Sequence, residues 1–163
     1  MAEADSSNEL LLEIPKAGRL VGIDFGSVRI GLAICDPGQQ WVGPLPILHR
    51  RNEAWDLDQL RKLAREERLV GWILGMPLHL DGNESSKMRE CKLWSKRLQE
   101  STGIPVAWVD ERFTTVRAEE LLREGNLKAS QRSKWLDSVA AMVILETYLQ
   151  SDRSGSIQHR SID

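Results

Sequence analysis

Residues 21–36 read VGIDFGSVRIGLAICD, and the organisation of the chain follows from how this stretch folds. Leu20–Phe25 and Ile30–Cys35 are apolar runs of strand length separated by Gly26-Ser27, and the second run ends at Asp36-Pro37-Gly38. Such residues supply the backbone angles and local hydrogen bonds of tight turns. Trp41–Leu48 is a third run of the same kind. The pattern predicts three consecutive antiparallel strands.

Downstream the period changes. Within Glu53–Arg68, Leu57, Leu60, Leu63 and Ala64 recur at helical spacing, and Leu69–Gly75 is then an almost wholly apolar run stopped by Pro77. This predicts a helix feeding a buried strand. Met88, Cys91, Trp94 and Leu98 mark a second helix over Glu84–Gln99, closed by Thr102-Gly103 before a buried strand over Ile104–Val109. A short helix over Thr115–Glu124 ends at Gly125-Asn126, and Val139, Val143 and Leu145 lie on a last helix over Ser133–Leu149. Strands joined by helices pair in parallel, because a parallel pair needs a long crossover. The expected fold class is α/β: a mixed sheet of about five strands, an ordinary sheet size, with helices on both faces, in the order βββαβαβαα. Residues 1–17 are read as a mobile leader, 18–150 as one domain and 151–163 as a flexible tail.

Composition bounds the function. The chain of 163 residues is 41% hydrophobic and 28% charged, which suits one folded domain and excludes two large domains closing on a cleft. Lys and Arg number 22 against 24 Asp and Glu, a net charge of -2, so contact with nucleic acid requires a local basic patch. Two cysteines, Cys35 and Cys91, have no second Cys or His at ligand spacing, which argues against disulfide and zinc frameworks and for a reducing cytoplasm. The polar, acidic N-terminus is no secretory signal, and no apolar stretch is long enough to span a bilayer. No membrane role is expected.

Four groups of residues carry candidate chemistry. Asp24 stands in an apolar strand, where an unpaired carboxylate would cost several kcal/mol. It needs a cation or donors, or else it caps the hairpin turn. Arg29 meets a phosphate or neutralises an acid nearby. Asp110 and Glu111 end the strand before them and point to opposite faces. Glu111 is favoured to meet Asp24, while Asp110 supports Arg112 or caps the helix that follows Thr114-Thr115. Asp137 lies one helical turn before Ala140 and Ala141, small residues that permit close packing; taken alone, it reads as a surface Asp near a helix start. Taken together, Asp24, Glu111 and Asp137 would converge at one sheet edge as hard oxygen donors for Mg²⁺ or Mn²⁺, the ions of two-metal phosphodiester hydrolysis. Arg112, Arg117, Lys128, Arg132 and Lys134 form a basic rim for a nucleic-acid backbone, or an ordinary solvated face. The turn-rich loop Gly75–Ser85 either holds an anion at a helix start or simply connects, with Asn83 or Ser85 as cap.

The segments VGIDFGSVRIGLAICD, GMPLHLDGNES, VDERFTT and LDSVAAMVILETYL, in this order, resemble the YqgF family, also called RuvX, from about Leu20 to Leu149. The resemblance implies an RNase H-like domain related to Holliday-junction resolvases and a nuclease acting in 5′-end maturation of pre-16S ribosomal RNA. It implies catalytic acids at Asp24, at Glu111 with Asp110, and at Asp137, with Arg29, Arg112, Thr114 and Thr115 on the family's polar positions. His79 departs from the family's usual Asn. Rival readings are Holliday-junction resolution in DNA repair, a catalytically silent module for ribosome assembly or transcription, and an actin-like ATPase or kinase. One domain is too short for the last. A monomer is expected for trimming RNA at one site, and a dimer for cutting two strands of a junction.

Overall fold

The computed structural model describes residues 13–77, 84–111, 120, 123, 124 and 129–154, with backbone alone at 129–137 and 152–154. Strands β1 (Arg19–Phe25) and β2 (Arg29–Cys35) form the expected hairpin, with Asp24 opposite Gly31 and Phe25 opposite Ile30. The expected third strand divides into β3 (Val42–Pro44) and β4 (Leu48–His49), both antiparallel to β2. Pro44 and Pro46 lie at the break. Proline has no N–H to give a ladder and is confined to strand ends and edges. The sheet therefore has six strands instead of about five, in the order β3-β2-β1-β5-β6 with β4 also on β2.

Helix α1 (Glu53–Glu66) leads to β5 (Leu69–Met76), and α2 (Ser86–Thr102) leads to β6 (Val106–Asp110). Each helix starts on a side-chain cap: the Asn52 side chain accepts from the Trp55 N–H at 2.8 Å, and the Ser85 hydroxyl from the Met88 N–H at 3.1 Å. These caps satisfy N–H groups that have no partner within the helix. Gly103 closes α2 with φ +69°, a left-handed angle that favours glycine. The last helix, α3 (Ala129–Ser154), extends beyond the expected Ser133–Leu149 at both ends. Most of the helix expected over Thr115–Glu124 lies outside the described residues.

β1, β5 and β6 run parallel, so their C-terminal ends lie along one side of the sheet. α1 and α2 cover one face, where Ile23, Phe25, Trp72, Leu74, Met76, Cys91, Trp94 and Leu98 are buried together. α3 covers the other, where Leu20, Ile73, Val109, Ile144, Leu145 and Tyr148 form a second core. Ile14 enters this second core, and the Pro15 carbonyl accepts a 3.0 Å bond from the Gln39 amide, so the segment just before Gly18 packs on the fold. Burial at both faces explains why β5 reads as a continuous apolar run. Cys35 and Cys91 are free, buried thiols. No helix among the described residues is long and apolar enough to cross a membrane.

Candidate active site

In open sheets of this kind, ligands gather outside the carboxyl ends of the parallel strands. Asp24 lies one residue from the end of β1, and Glu111 directly follows β6, its N–H donating to the Met76 carbonyl at 3.0 Å. Both are partly buried. The register pairs Ile23 with Leu74 and Gly75 with Val109, so β5 stands between the two acids, with Gly75 beside Asp24. Alternation then puts Glu111 on the face of Val109 and Asp110 on the face of its partner Met76, opposite Glu111.

Gly75 makes this arrangement possible. A Cβ there would lie 3.4 Å from Glu111 Oε1 and 2.5 Å from Ile144 Cδ1 of α3. The missing side chain thus lets Ile144 of α3 pack directly on the β5 backbone, with the Glu111 carboxylate beside that contact. Gly22 does the same one step earlier in β1, where a Cβ would meet the Ala141 carbonyl oxygen at 2.5 Å and Leu145 Cβ at 2.9 Å. Gly26, in the β1–β2 turn, has the Arg29 carbonyl oxygen where a Cβ would stand. The conformation there admits no side chain.

Cys91, on α2, gives an electrostatic reading of the same corner. Burial, followed by the negative charge of Glu111, pushes its thiol up to about 11, with Glu90 and Asp24 adding to the rise and Lys87 opposing it. The field of both carboxylates reaches this side chain, as expected where water is excluded and screening is weak.

The backbone at Asp137, Arg132 and Lys134 belongs to α3, with Asp137 one turn before Ala141, but their side chains lie outside the described residues. Arg112, Thr114, Thr115, Arg117, Lys128 and His79 also lie outside them. Arg29 is exposed at the start of β2. Among the described residues no three His, Cys, Asp or Glu side chains form a ready metal cluster. Asp24 and Glu111 nonetheless fit a divalent cation in donor chemistry: two partly buried, hard carboxylates at the carboxyl ends of parallel strands. Gly75 carried no signal in sequence, because its role depends on what α3 and Glu111 bring to it. Arg50 was also missed: its guanidinium donates to the Gly26 carbonyl at 3.1 Å and to Asp56 Oδ2 at 3.0 Å. A basic run just before a helix cap was the available clue.

A family model described as RuvX, Holliday junction resolvase, matches residues 18–151. The chain belongs to the RuvX family. A relative from Rhodopirellula baltica, named "Putative pre-16S rRNA nuclease", is 40% identical over 139 residues, 85% of this chain and 80% of its own. One from Maridesulfovibrio salexigens with the same name is 35% identical over 131 residues, 80% and 97% of the two chains. Among solved structures, T. thermophilus RuvC in complex with a Holliday junction substrate aligns with a TM-score of 0.55 at 12% identity, covering 85% of this chain and 97% of that one. The Fowlpox virus resolvase in complex with Holliday junction DNA aligns with a TM-score of 0.55 at 14% identity, covering 82% and 97%. At such identity the likeness is one of fold, and the RuvX chain has the expected RNase H-like fold.

Proposed function

We propose that this RuvX chain is a nuclease that hydrolyses phosphodiester bonds of structured RNA and matures the 5′ end of pre-16S ribosomal RNA in the cytoplasm, acting as a monomer. The observation that carries the reading is the pair of carboxylates, Asp24 and Glu111, set at the ends of parallel strands on one face of the sheet with β5 between them. The names of its relatives support RNA as the substrate.

Asp24 and Glu111, joined from α3 by Asp137, would hold Mg²⁺ or Mn²⁺, two ions in the full site. Such ions, when bound, supply the Lewis acidity that activates water at neutral pH and offsets charge building on the phosphate oxygens. The chain's own work is positional. Partial burial of both carboxylates keeps bulk water from screening them. Asp110, on the opposite face, steadies the segment that carries Glu111. Arg29, Arg112, Thr114, Thr115, Arg117, Lys128, Arg132 and Lys134 hold the backbone on either side of the scissile bond.

Cleavage of branched DNA is the second reading, supported by the family description; it calls for a dimer. The test compares wild type with Asp24→Asn, Glu111→Gln and Asp137→Asn on a precursor RNA and on a four-way DNA junction, with Mg²⁺, Mn²⁺ or chelator. Loss of a catalytic group commonly costs about a hundredfold or more in rate, and each variant is expected to fall that far on RNA. Faster cleavage of the junction would move the reading to resolution. Equal trace activity in all four proteins would remove the nuclease assignment and leave a binding module.

A further inference from the structure

At the Asp24 end of the sheet, the run His49-Arg50-Arg51 enters α1. In the β2–β4 ladder Arg29 is the partner of His49, and in the β1–β2 ladder Asp24 is the partner of Gly31. Arg29 and Gly31 are two residues apart on one strand, so Asp24, Arg29 and His49 all project to the same face. Two residues of strand span about 7 Å and two inter-strand spacings about 10 Å. His49 thus stands within a short oligonucleotide's reach of Asp24.

Arg50 turns the other way and is held inside the fold. Its guanidinium lies 4.7 Å over the Phe25 ring, donates to the Gly26 carbonyl and pairs with Asp56, whose side chain is 0% exposed. The Arg50 N–H donates to the Val28 carbonyl at 2.9 Å, and the Arg51 N–H to Asp56 Oδ1 at 3.0 Å. These bonds fix the backbone of the run while His49 and Arg51 stay exposed. Arg51 is further ordered by stacking at 4.3 Å over the Trp55 ring. A guanidinium ordered in this way loses little freedom on meeting a ligand.

The acids nearby are already engaged. Asp56 is paired with Arg50, and Glu53 with Arg97 at 2.6 Å. Among the described residues no carboxylate pairs with His49 or Arg51. A chain with net charge -2 therefore shows local positive charge, preordered, next to its carboxylate pair. Its complement is an anionic polymer that passes the carboxylates.

We propose that His49 and Arg51, continuing from Arg29, form a rail for the phosphate backbone of the nucleic-acid strand leaving the carboxylate pair. The rail rests on the nuclease reading for the strand it serves. Its contacts are to phosphate, so it contributes affinity and register without reading sequence.

The experiment uses the full chain with fluorescent precursor RNA and, separately, a four-way DNA junction. Binding is measured in chelator across a salt series, and cleavage at saturating substrate with Mg²⁺. The variants are His49→Ser with Arg51→Ser, charge-reversed Arg51→Glu, and Arg65→Ser as a distant exposed control, with thermal unfolding to check the fold. The double variant is expected to bind about tenfold more weakly, and the slope of log Kd against log salt to fall by about 1. Arg51→Glu weakens binding further, the control matches wild type, and cleavage at saturation is unchanged. The substrate with the larger loss identifies the strand the rail carries. Unchanged binding and salt slope in a protein that still cleaves would overturn the rail and leave the nuclease reading standing. A rail-dependent affinity without cleavage in wild type would support the rail and overturn the nuclease. Failure of wild type to bind either substrate would overturn both.

Discussion

Cys91 offers a direct view of the carboxylate pair, one independent of catalysis. The thiol is raised to about 11 by burial first and then by Glu111, whose negative charge opposes a thiolate nearby. Replacing Glu111 by Gln removes that charge and must lower the titration, and Asp24→Asn must lower it by less. In a Cys35→Ser background, where Cys91 is the remaining thiol, thiolate absorbance against pH measures the shift. An unmoved midpoint in Glu111→Gln would contradict the placement of the two side chains. The linkage has a definite sign: a raised folded value contributes stability that is whole below the ordinary thiol value of 9.0 and lost as pH rises through about 11. Alkaline unfolding of wild type therefore has a component in that window, reduced in Glu111→Gln. At this scale Asp24 was legible from sequence, because a carboxylate inside an apolar strand demands a reason. Gly75 was not, since a glycine near a strand end looks the same whether or not another helix and another strand's carboxylate close over it.

Among the elements, α3 matters most to the site, because it joins the sheet where side chains are missing. Its Ala141 carbonyl oxygen stands 2.5 Å from where a Cβ on Gly22 would be. Backbone atoms in a packed helix cannot yield as the end of a side chain can. Gly22→Ala should therefore displace α3, with a loss of about 2 to 3 kcal/mol from overpacking, read by chemical denaturation. Asp137 rides on the same helix one turn earlier, so cleavage should fall by more than the folded fraction does. Full activity in a destabilised protein would separate α3 from the chemistry. The helices and strands were largely legible because burial imposes a period of 3.6 or 2 on apolar residues. The division of the third strand is written in Pro44 and Pro46, whose two missing donors are masked by the apolar content of the run Trp41–Leu48. The C-terminal extension of α3 escaped because Gln150–Ser154 is polar throughout and carries no apolar period.

For the molecule as a whole, the ion pair between Arg50 and Asp56 ties the β1–β2 turn, β4 and the first turn of α1 into one body. Asp56 has 0% of its side chain exposed and Arg50 only 18%. Removing one partner of a buried pair leaves the other charge uncompensated, which costs about 3 kcal/mol or more. Arg50→Ala is expected to lower the thermal midpoint by that equivalent while keeping a single cooperative transition. Two separate transitions would show that the turn and α1 unfold apart from the sheet. The same substitution should weaken nucleic-acid binding, because the mount for His49 and Arg51 is then lost.

From sequence alone came the hairpin, the helix and strand alternation, the two-sided burial of β5, and the family through four ordered motifs. All are local patterns or spacings, recorded in the chain wherever each residue must satisfy its own neighbours. The tertiary structure decided which distant residues meet. It set Glu111 across Gly75 from β1, brought α3 onto Gly22, and turned Arg50 inward while His49 and Arg51 remain outside. Those outcomes depend on strand register and on the close approach of backbones from separate elements. Pairing across the sheet is a relation between positions, and no single stretch of chain contains it.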